Sequence, residues 1–281
     1  GPLEGIRVVD LTQVVSGPLA TMLLADQGAE VVKVEPLGIG GDVTRLPSYA
    51  KAGISALFVN NNRGKRSLAL DLTKEEGKQI VIDLVEQADV FIQNFRPGAI
   101  ERLGLSYEEL KAVNPKLIYC SISGFGPDGP YSDRPVLDPV IQGLTGMVSR
   151  QLNPQIPFPD LVRNLVADKS TAFTSAQAIT AALFSRERTG EGQFLEIPML
   201  DSCLYFFWVD GMMDLTMLDE DVSPGITLAK VYNITNTSDG QLIYFAANDK
   251  QRFGLLRALG RDELCEDERF SSLAAISNPE N

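Results

Sequence analysis

The residues with the clearest chemical potential lie in a short turn, where Asp168 follows Asn164-Leu165-Val166-Ala167. Small residues downstream predict a helix that runs to residues 186–193. We expect Asp168 at the very start of this helix, where a carboxylate accepts backbone N–H bonds and faces the positive end of the helix dipole. A carboxylate in that place stays ionised and is ready as a nucleophile. A plain helix cap is the alternative function of Asp168.

Histidine is absent from the 281 residues. This removes the side chain most used for proton transfer near neutral pH and the commonest metal ligand. Chemistry must then use carboxylates, lysines, hydroxyls, thiols or backbone dipoles. Cys120, Cys203 and Cys265 have neither metal-type nor paired spacing, so we expect no metal site and a reducing compartment such as the cytoplasm.

The net charge of −12 argues against nucleic acid or an anionic membrane as a partner, because both would be repelled. No uninterrupted apolar run reaches about 18 residues, and no basic-apolar leader is present, so neither a membrane span nor a signal peptide is expected. We therefore expect a soluble, cytoplasmic protein. Any anionic ligand has to be held by local basic groups.

Apolar strand-like segments alternate with helix-length segments along most of the chain. Strands are predicted at residues 6–11, 31–35, 67–71, 90–93, 117–121 and 194–197, and helices at 73–87, 107–113 and 199–215. This alternation predicts an α/β fold with a doubly wound, mainly parallel sheet and ligands at the carboxyl ends of its strands. Residues 1–221 would form this large domain. Residues 222–281, with strands at 230–232 and 242–245, would begin a smaller α+β domain.

The turn after the first predicted strand reads Thr12-Gln13-Val14-Val15-Ser16-Gly17-Pro18. It lacks the Gly-x-Gly-x-x-Gly pattern of dinucleotide-binding proteins, and the sequence has no Gly-x-x-x-x-Gly-Lys-Ser/Thr phosphate loop. These absences disfavour a nicotinamide enzyme and a P-loop nucleotidase.

Six ordered blocks carry a family resemblance that covers essentially the whole chain. They occupy residues 5–18, 28–36, 62–67, 93–98, 124–131 and 188–193, the last of which reads Arg188-Thr189-Gly190-Glu191-Gly192-Gln193. Together they resemble the family III CoA-transferases, also called the CaiB/BaiF family, which include formyl-CoA transferase and the α-methylacyl-CoA racemases.

By this resemblance, Asp168 falls on the catalytic aspartate of the family. That residue attacks an acyl-CoA thioester to form a mixed anhydride, and it then carries CoA as an aspartyl thioester. Such covalent catalysis splits one difficult exchange into easier steps.

The same resemblance places contacts to coenzyme A at Val14, Lys65 and Arg102, with Arg96 nearby. Lys65 and its neighbour Arg66 would neutralise phosphates in an otherwise acidic protein. A solvated surface charge is the alternative for Arg66 and Arg96.

The resemblance implies an enzyme that moves CoA between an acyl-CoA and a free carboxylic acid, with CoA thioesters as substrates and no permanently bound cofactor. A 2-methylacyl-CoA racemase and a non-catalytic CoA-binding relative or fragment are the alternatives. It also implies an interlocked homodimer, to which the aromatic segment at residues 205–208 would contribute. Family chains continue beyond the region matched by residues 269–281, so we expect this chain to be truncated.

A racemase of this family uses a histidine and the aspartate on opposite faces of the substrate, and Leu137 occupies the histidine position. Asp138 is expected to cap the next helix, with Pro139 at its first position. Because leucine cannot exchange a proton, we expect no deuterium uptake at the α-carbon when a 2-methylacyl-CoA is incubated with the protein in deuterated water. Rapid uptake that depends on Asp168 would identify a racemase instead.

Overall fold

The computed structural model describes residues 1–38, 40–46, 49–151, 158–222, 228–232, 234–272 and 275. The chain divides into two compact units. The first comprises Gly1–Ser149 and Asp160–Phe207, and the second comprises Arg150–Pro159 and Trp208–Asn281. The domain boundary between residues 221 and 222 stays a prediction, and part of the smaller predicted domain lies outside the described residues.

The first unit is built on a parallel sheet. The strands of this unit are β1 (Arg7–Asp10), β2 (Glu30–Pro36), β3 (Ala50–Lys51), β4 (Ile54–Ser55), β5 (Lys65–Leu70), β6 (Val90–Gln93), β7 (Ile118–Ser123) and β8 (Gln193–Pro198). Six of them pair in parallel in the order β5-β2-β1-β6-β7-β8, and β3 and β4 form a separate antiparallel pair. The predicted α/β fold with a mainly parallel sheet is confirmed.

Helices cover both faces of this sheet. The helices that begin in this unit are α1 (Ser16–Asp26), α2 (Ala56–Asn62), α3 (Glu75–Val85), α4 (Ala99–Arg102), α5 (Tyr107–Val113), α6 (Asp138–Leu144), α7 (Met147–Arg150), α8 (Val166–Thr189) and α9 (Met199–Gly211). Local sequence explains several ends. Ser106 and Glu109 form a capping box at the start of α5, and α8 stops at Gly190, whose φ of 77° is left-handed.

Alternate residues of each strand point to opposite faces of the sheet, so the strands contribute to two apolar cores. Val8 and Ile92 pack with α1 and α8 on one face of the sheet. Val9 and Phe91 pack with α3 and α5 on the other face. The starts of α1 and α8 are thereby brought to the carboxyl edge of the sheet.

The second unit contains α10 (Leu228–Val231), β9 (Ile234–Asn236), β10 (Gln241–Ile243) and α11 (Asp249–Ala258). The strand predicted at residues 230–232 is wrong, because the chain is helical to Val231 and the strand begins at Ile234. Periodicity does not separate a strand from a helical turn in so short an apolar run. The helix predicted over 199–215 ends at Gly211. Within the described ranges, no helix is long and apolar enough to cross a membrane.

Candidate active site

A cavity of about 270 Å³ lies at the carboxyl edge of the sheet, next to the ends of β6 and β7. Two acidic side chains, two basic side chains and the entry to α1 meet there. The lining includes Val14, Ser16, Asn94, Phe95, Arg96, Ser123, Arg134, Leu137, Asp138, Asp168 and Met199. Ligands of doubly wound sheets bind at this edge.

Asp168 is the third residue of α8 and is 9% exposed. The alternative of a plain helix cap is wrong, because α8 begins at Val166 and Leu165 holds the cap position, while Asp168 lies in the first turn. Burial raises the pKa of Asp168, and the nearby charge of Asp138 raises it further. Hydrogen bonding from the backbone and hydroxyl of Ser16 offsets part of this rise, and the resulting pKa is about 6. Asp168 therefore ionises at higher pH than an ordinary aspartate, although it is still mostly charged at neutral pH.

Asp138 caps a helix other than its own. Its carboxylate oxygen Oδ2 accepts the backbone N–H of Asp168 at 2.9 Å, and Oδ1 accepts Gln142 Nε2 at 2.6 Å. Asp138 is itself the first residue of α6, after Leu137 at the cap position, so the expected cap with Pro139 at the first position is wrong. The N–H in the first turn of α8 needs a partner outside that helix, and Asp138 supplies it.

Lys65 lies beneath α1, outside the cavity. Its side chain is 2% exposed, and Nζ donates to Asp10 Oδ2 at 3.1 Å, Pro18 O at 2.8 Å and Asn62 Oδ1 at 2.8 Å. Burial lowers the pKa of Lys65 to about 8, against the opposing charge of Asp10. Because an ammonium group has three donors, none is left for a phosphate. The contact of Lys65 with coenzyme A stays a prediction that this geometry does not favour.

The remaining predicted basic residues lie in three places. Arg96 lines the cavity that contains Asp168. Arg66 is exposed, pairs with Glu30 at 3.4 Å and lines a different cavity with Arg7. Arg102 ends α4, with its guanidinium close to Gly98. The structure thus brings Asp168, Val14 and Arg96 together, and it places Lys65, Arg66 and Arg102 outside this cavity.

Arg134 is a cavity residue that the sequence analysis missed. Its guanidinium lies 4.3 Å from the centre of the Tyr131 ring. The available signal was its position just after the glycine-rich loop at 124–130, which follows β7. Loops at this end of a parallel sheet are where ligand contacts concentrate.

A second cavity of about 260 Å³ lies at the same edge of the sheet. It is mostly apolar, and its lining includes Leu11, Gln13, Val34, Leu70, Leu72, Phe95 and Leu103. Phe95 lines both cavities, so the two adjoin along the loop after β6. Over the part of the chain that the structure describes, no three histidine, cysteine or acidic side chains are grouped to hold a metal ion.

Comparisons with known proteins give the family. A sequence profile of CoA-transferase family III matches residues 3–280. Succinate–glutarate CoA-transferase from Agrobacterium fabrum is 39% identical, over 96% of this chain and 70% of that protein. Acetyl-CoA:oxalate CoA-transferase from Acetobacter aceti is 34% identical over the same shares of the two chains, 96% and 70%.

A crystal structure of a CAIB/BAIF family protein from Brucella suis matches with a TM-score of 0.83 and 38% identity, over 98% of this chain and 74% of that one. The chain belongs to CoA-transferase family III, as its sequence blocks indicated. It spans about 70% of the length of the two curated relatives.

Replacing Lys65 with alanine is expected to lower the free energy of unfolding by about 3–5 kcal/mol, because Asp10 is then buried without its charge partner. Urea unfolding measures this change. Lys116→Ala, which removes an exposed lysine, is the control and should change stability little. Unchanged stability together with a raised KM for CoA esters would contradict this interpretation and restore the phosphate contact.

Proposed function

We propose that this protein transfers coenzyme A from an acyl-CoA thioester to a free carboxylic acid, with Asp168 as the nucleophile. One observation carries the proposal. Asp168 is a buried carboxyl group in a cavity at the ligand-binding edge of the sheet, and its pKa of about 6 leaves it charged at neutral pH. The names of its relatives, which include CoA-transferases for succinate, glutarate and oxalate, support the same activity.

The reaction needs four nucleophilic exchanges. In the first, a carboxylate oxygen of Asp168 forms a bond to the thioester carbon, and the carbon–sulfur bond breaks to release CoA thiolate. In the second, the thiolate attacks the aspartyl carbon of the resulting anhydride and releases the donor acid. The acceptor carboxylate then displaces the thiolate from this aspartyl thioester, and the thiolate finally takes the acceptor acyl group and frees Asp168.

No proton moves in any of these exchanges, because each attacking and leaving group is a carboxylate or a thiolate. A chain without histidine can therefore carry out the whole sequence. Racemisation needs a second proton-transfer group, and Leu137 holds that place in the cavity lining. The transferase is accordingly favoured over the racemase.

The positive charges in the cavity favour acids that carry a second carboxylate. Arg96 and Arg134 line it together with Asp168, in a protein whose net charge is −12. Arginine binds carboxylates and phosphates through paired hydrogen bonds. We propose that Arg134 binds the distal carboxylate of a dicarboxylic acyl group and that Arg96 binds a phosphate of coenzyme A. The relatives named for succinate, glutarate and oxalate agree with this substrate class.

The adjoining apolar cavity provides a place for the nucleotide end of coenzyme A. Leu70, Leu72 and Leu103 offer apolar contact to a planar base, and Phe95 connects this cavity to the one that contains Asp168. Arg102, a predicted coenzyme A contact, directly precedes Leu103 of this lining. The thioester would then extend past Phe95 and Val14 to reach Asp168.

We also propose a homodimer, interlocked as in the family. Tyr205 and Phe206 on α9 are 75% and 59% exposed in one chain, and large aromatic side chains are enriched at subunit interfaces.

The mass in solution at micromolar concentration is expected to be twice that of one chain, as measured by light scattering. The double variant Tyr205→Glu/Phe206→Glu should lower the dimer fraction, because it buries two charges in the interface. Glu76→Lys, a charge change on the exposed face of α3, should not. A monomeric parent protein would contradict the dimer.

Asp168→Asn should abolish acylation of the protein by succinyl-CoA, because an amide is not a nucleophile at this step. Hydroxylamine trapping followed by peptide mass spectrometry should find the parent modified at Asp168 and at no other carboxylate. The control variant Glu191→Gln, which removes a different carboxylate, should leave the trapping at Asp168 unchanged. A parent chain that binds succinyl-CoA without any adduct would indicate the non-catalytic alternative.

The rate of acylation should fall about tenfold for each pH unit below about 6, since the pKa of Asp168 is raised to that value and only the ionised form attacks. Above the pKa the rate should be level. The acid limb is the part of the pH profile in which the rate falls with falling pH. An acid limb near pH 4, as for an ordinary aspartate, would show that burial and Asp138 do not raise the pKa of Asp168 as the geometry indicates.

A further inference from the structure

The loop at residues 11–15, which joins β1 to α1, is held by partners along its whole length. Its contacts to neighbouring segments are Leu11 N to Ile92 O at 2.9 Å, Thr12 N to Asp10 Oδ1 at 2.8 Å, Lys33 Nζ to Thr12 O at 2.6 Å, and Gln13 N and O to the Asn94 side chain at 2.8 Å each. Backbone groups that are satisfied in this way have little freedom to move. The loop therefore fixes the position at which α1 begins.

Val14 is the one strained residue of this loop. Its φ is 71°, in the left-handed region that a β-branched side chain rarely adopts. Tyr49 and Ala52 are the other non-glycine residues with positive φ among those described, and both lie around the short β3–β4 pair. Val14 instead lines the cavity of Asp168. Strain of this kind persists only when neighbouring groups hold the residue in place.

Asp42 is the group that holds it. The Val14 backbone N lies 3.3 and 3.4 Å from the two carboxylate oxygens of Asp42, whose side chain is fully buried. Lys33, itself 1% exposed, pairs with Asp42 Oδ2 at 3.0 Å. Thr44 donates its backbone N–H and its hydroxyl to Oδ1, at 2.9 and 2.7 Å. Three donors from Lys33 and Thr44 thus orient the carboxylate toward the loop.

We propose that Asp42, oriented by Lys33, is a positioning residue for the acylation of Asp168. Its carboxylate keeps Val14 in the left-handed conformation, and this conformation sets the start of α1, where Ser16 lines the same cavity as Asp168. Neither Asp42 nor Lys33 lines the cavity, so both act through the loop. This inference rests on the proposed function, because it requires Asp168 to be the acylated residue.

Loss of the Asp42 contact should change the pH dependence of acylation, which a general loss of stability would not do. When Val14 is released, Ser16 withdraws from Asp168, and the hydrogen bonding that lowers the pKa of Asp168 is weakened. The other charged groups that line the cavity, namely Asp138 on α6 together with Arg96 and Arg134, are left in place. Acylation should become slower, and its acid limb should move to higher pH.

The test compares three variants by the rate and pH dependence of hydroxylamine-trapped acylation of Asp168 by succinyl-CoA. Asp42→Ser keeps a cap for the Thr44 N–H but is too short to reach Val14. It should lower the maximal rate about 10- to 100-fold, as small misplacements of reacting groups do, with little change in the succinyl-CoA concentration at half-maximal rate. Its acid limb should lie at higher pH than that of the parent.

Asp42→Asn keeps an oxygen for Val14 and should stay within about fivefold of the parent rate, as a conservative replacement for a positioning contact. Arg186→Met is the matched control, because it removes a cation from an ion pair with Asp89 (2.8 Å) at the other end of the sheet. It should lower the unfolding temperature without moving the acid limb. If Asp42→Ser does not fold, Lys33→Gln makes the same comparison from the other side of the pair.

Parent-like rate and acid limb in Asp42→Ser, or a loss of rate with the acid limb unmoved, would overturn the positioning function. Failure of the proposed function is distinguishable, because the parent itself would then show no acylation of Asp168. Acylation in the parent with no effect of Asp42 would refute this inference alone.

Discussion

Four buried charges beneath the carboxyl ends of β1 and β2 determine the shape of the site. Asp10 pairs with Lys65 and Asp42 pairs with Lys33, and all four side chains are at most 2% exposed. Burial alone raises the pKa of Asp10, but Lys65, Lys33 and the hydroxyls of Thr12 and Thr21 outweigh it, so the pKa is lowered. Buried charges are tolerated when each is paired and hydrogen-bonded, as here. Their contacts set the backbone between β1 and α1.

Two further carboxylates, Asp138 and Asp168, line the cavity, and their different surroundings give them different functions. Asp138 accepts the backbone N–H of Asp168 and the amide of Gln142, so both of its oxygens are occupied. Asp168 receives hydrogen bonding from Ser16 and opens into the cavity. Asp138 thereby fixes the start of α8 and holds a charge near the carboxyl group that we propose as the nucleophile. A raised pKa also makes that carboxylate more basic and a better nucleophile than an ordinary aspartate.

Much of the fold was predictable from local pattern, and much of the site was not. The strand at residues 90–93 and the helix at 107–113 were predicted at their observed bounds, since apolar strands and a capping box are local signals. The contact between Asp138 and the Asp168 N–H joins residues 30 positions apart. The family resemblance placed Lys65 at a phosphate, and the sequence gives no sign of its contact with Asp10, 55 residues earlier. Such contacts depend on how α6, α8 and the sheet pack.

The covalent use of Asp168 is the central claim, and isotope transfer tests it most directly. The protein is incubated with succinyl-CoA and an acceptor acid whose carboxylate carries ¹⁸O, and the tryptic peptide at residues 164–169, in which Asp168 is the only acidic side chain, is weighed. Each turnover breaks the anhydride on the acceptor side, so one acceptor oxygen remains on Asp168. The account predicts a peptide heavier by one ¹⁸O-for-¹⁶O exchange after a single turnover and by up to two after many turnovers, with Asp168→Asn unlabelled. Labelled acyl-CoA product formed without any label in this peptide would contradict it.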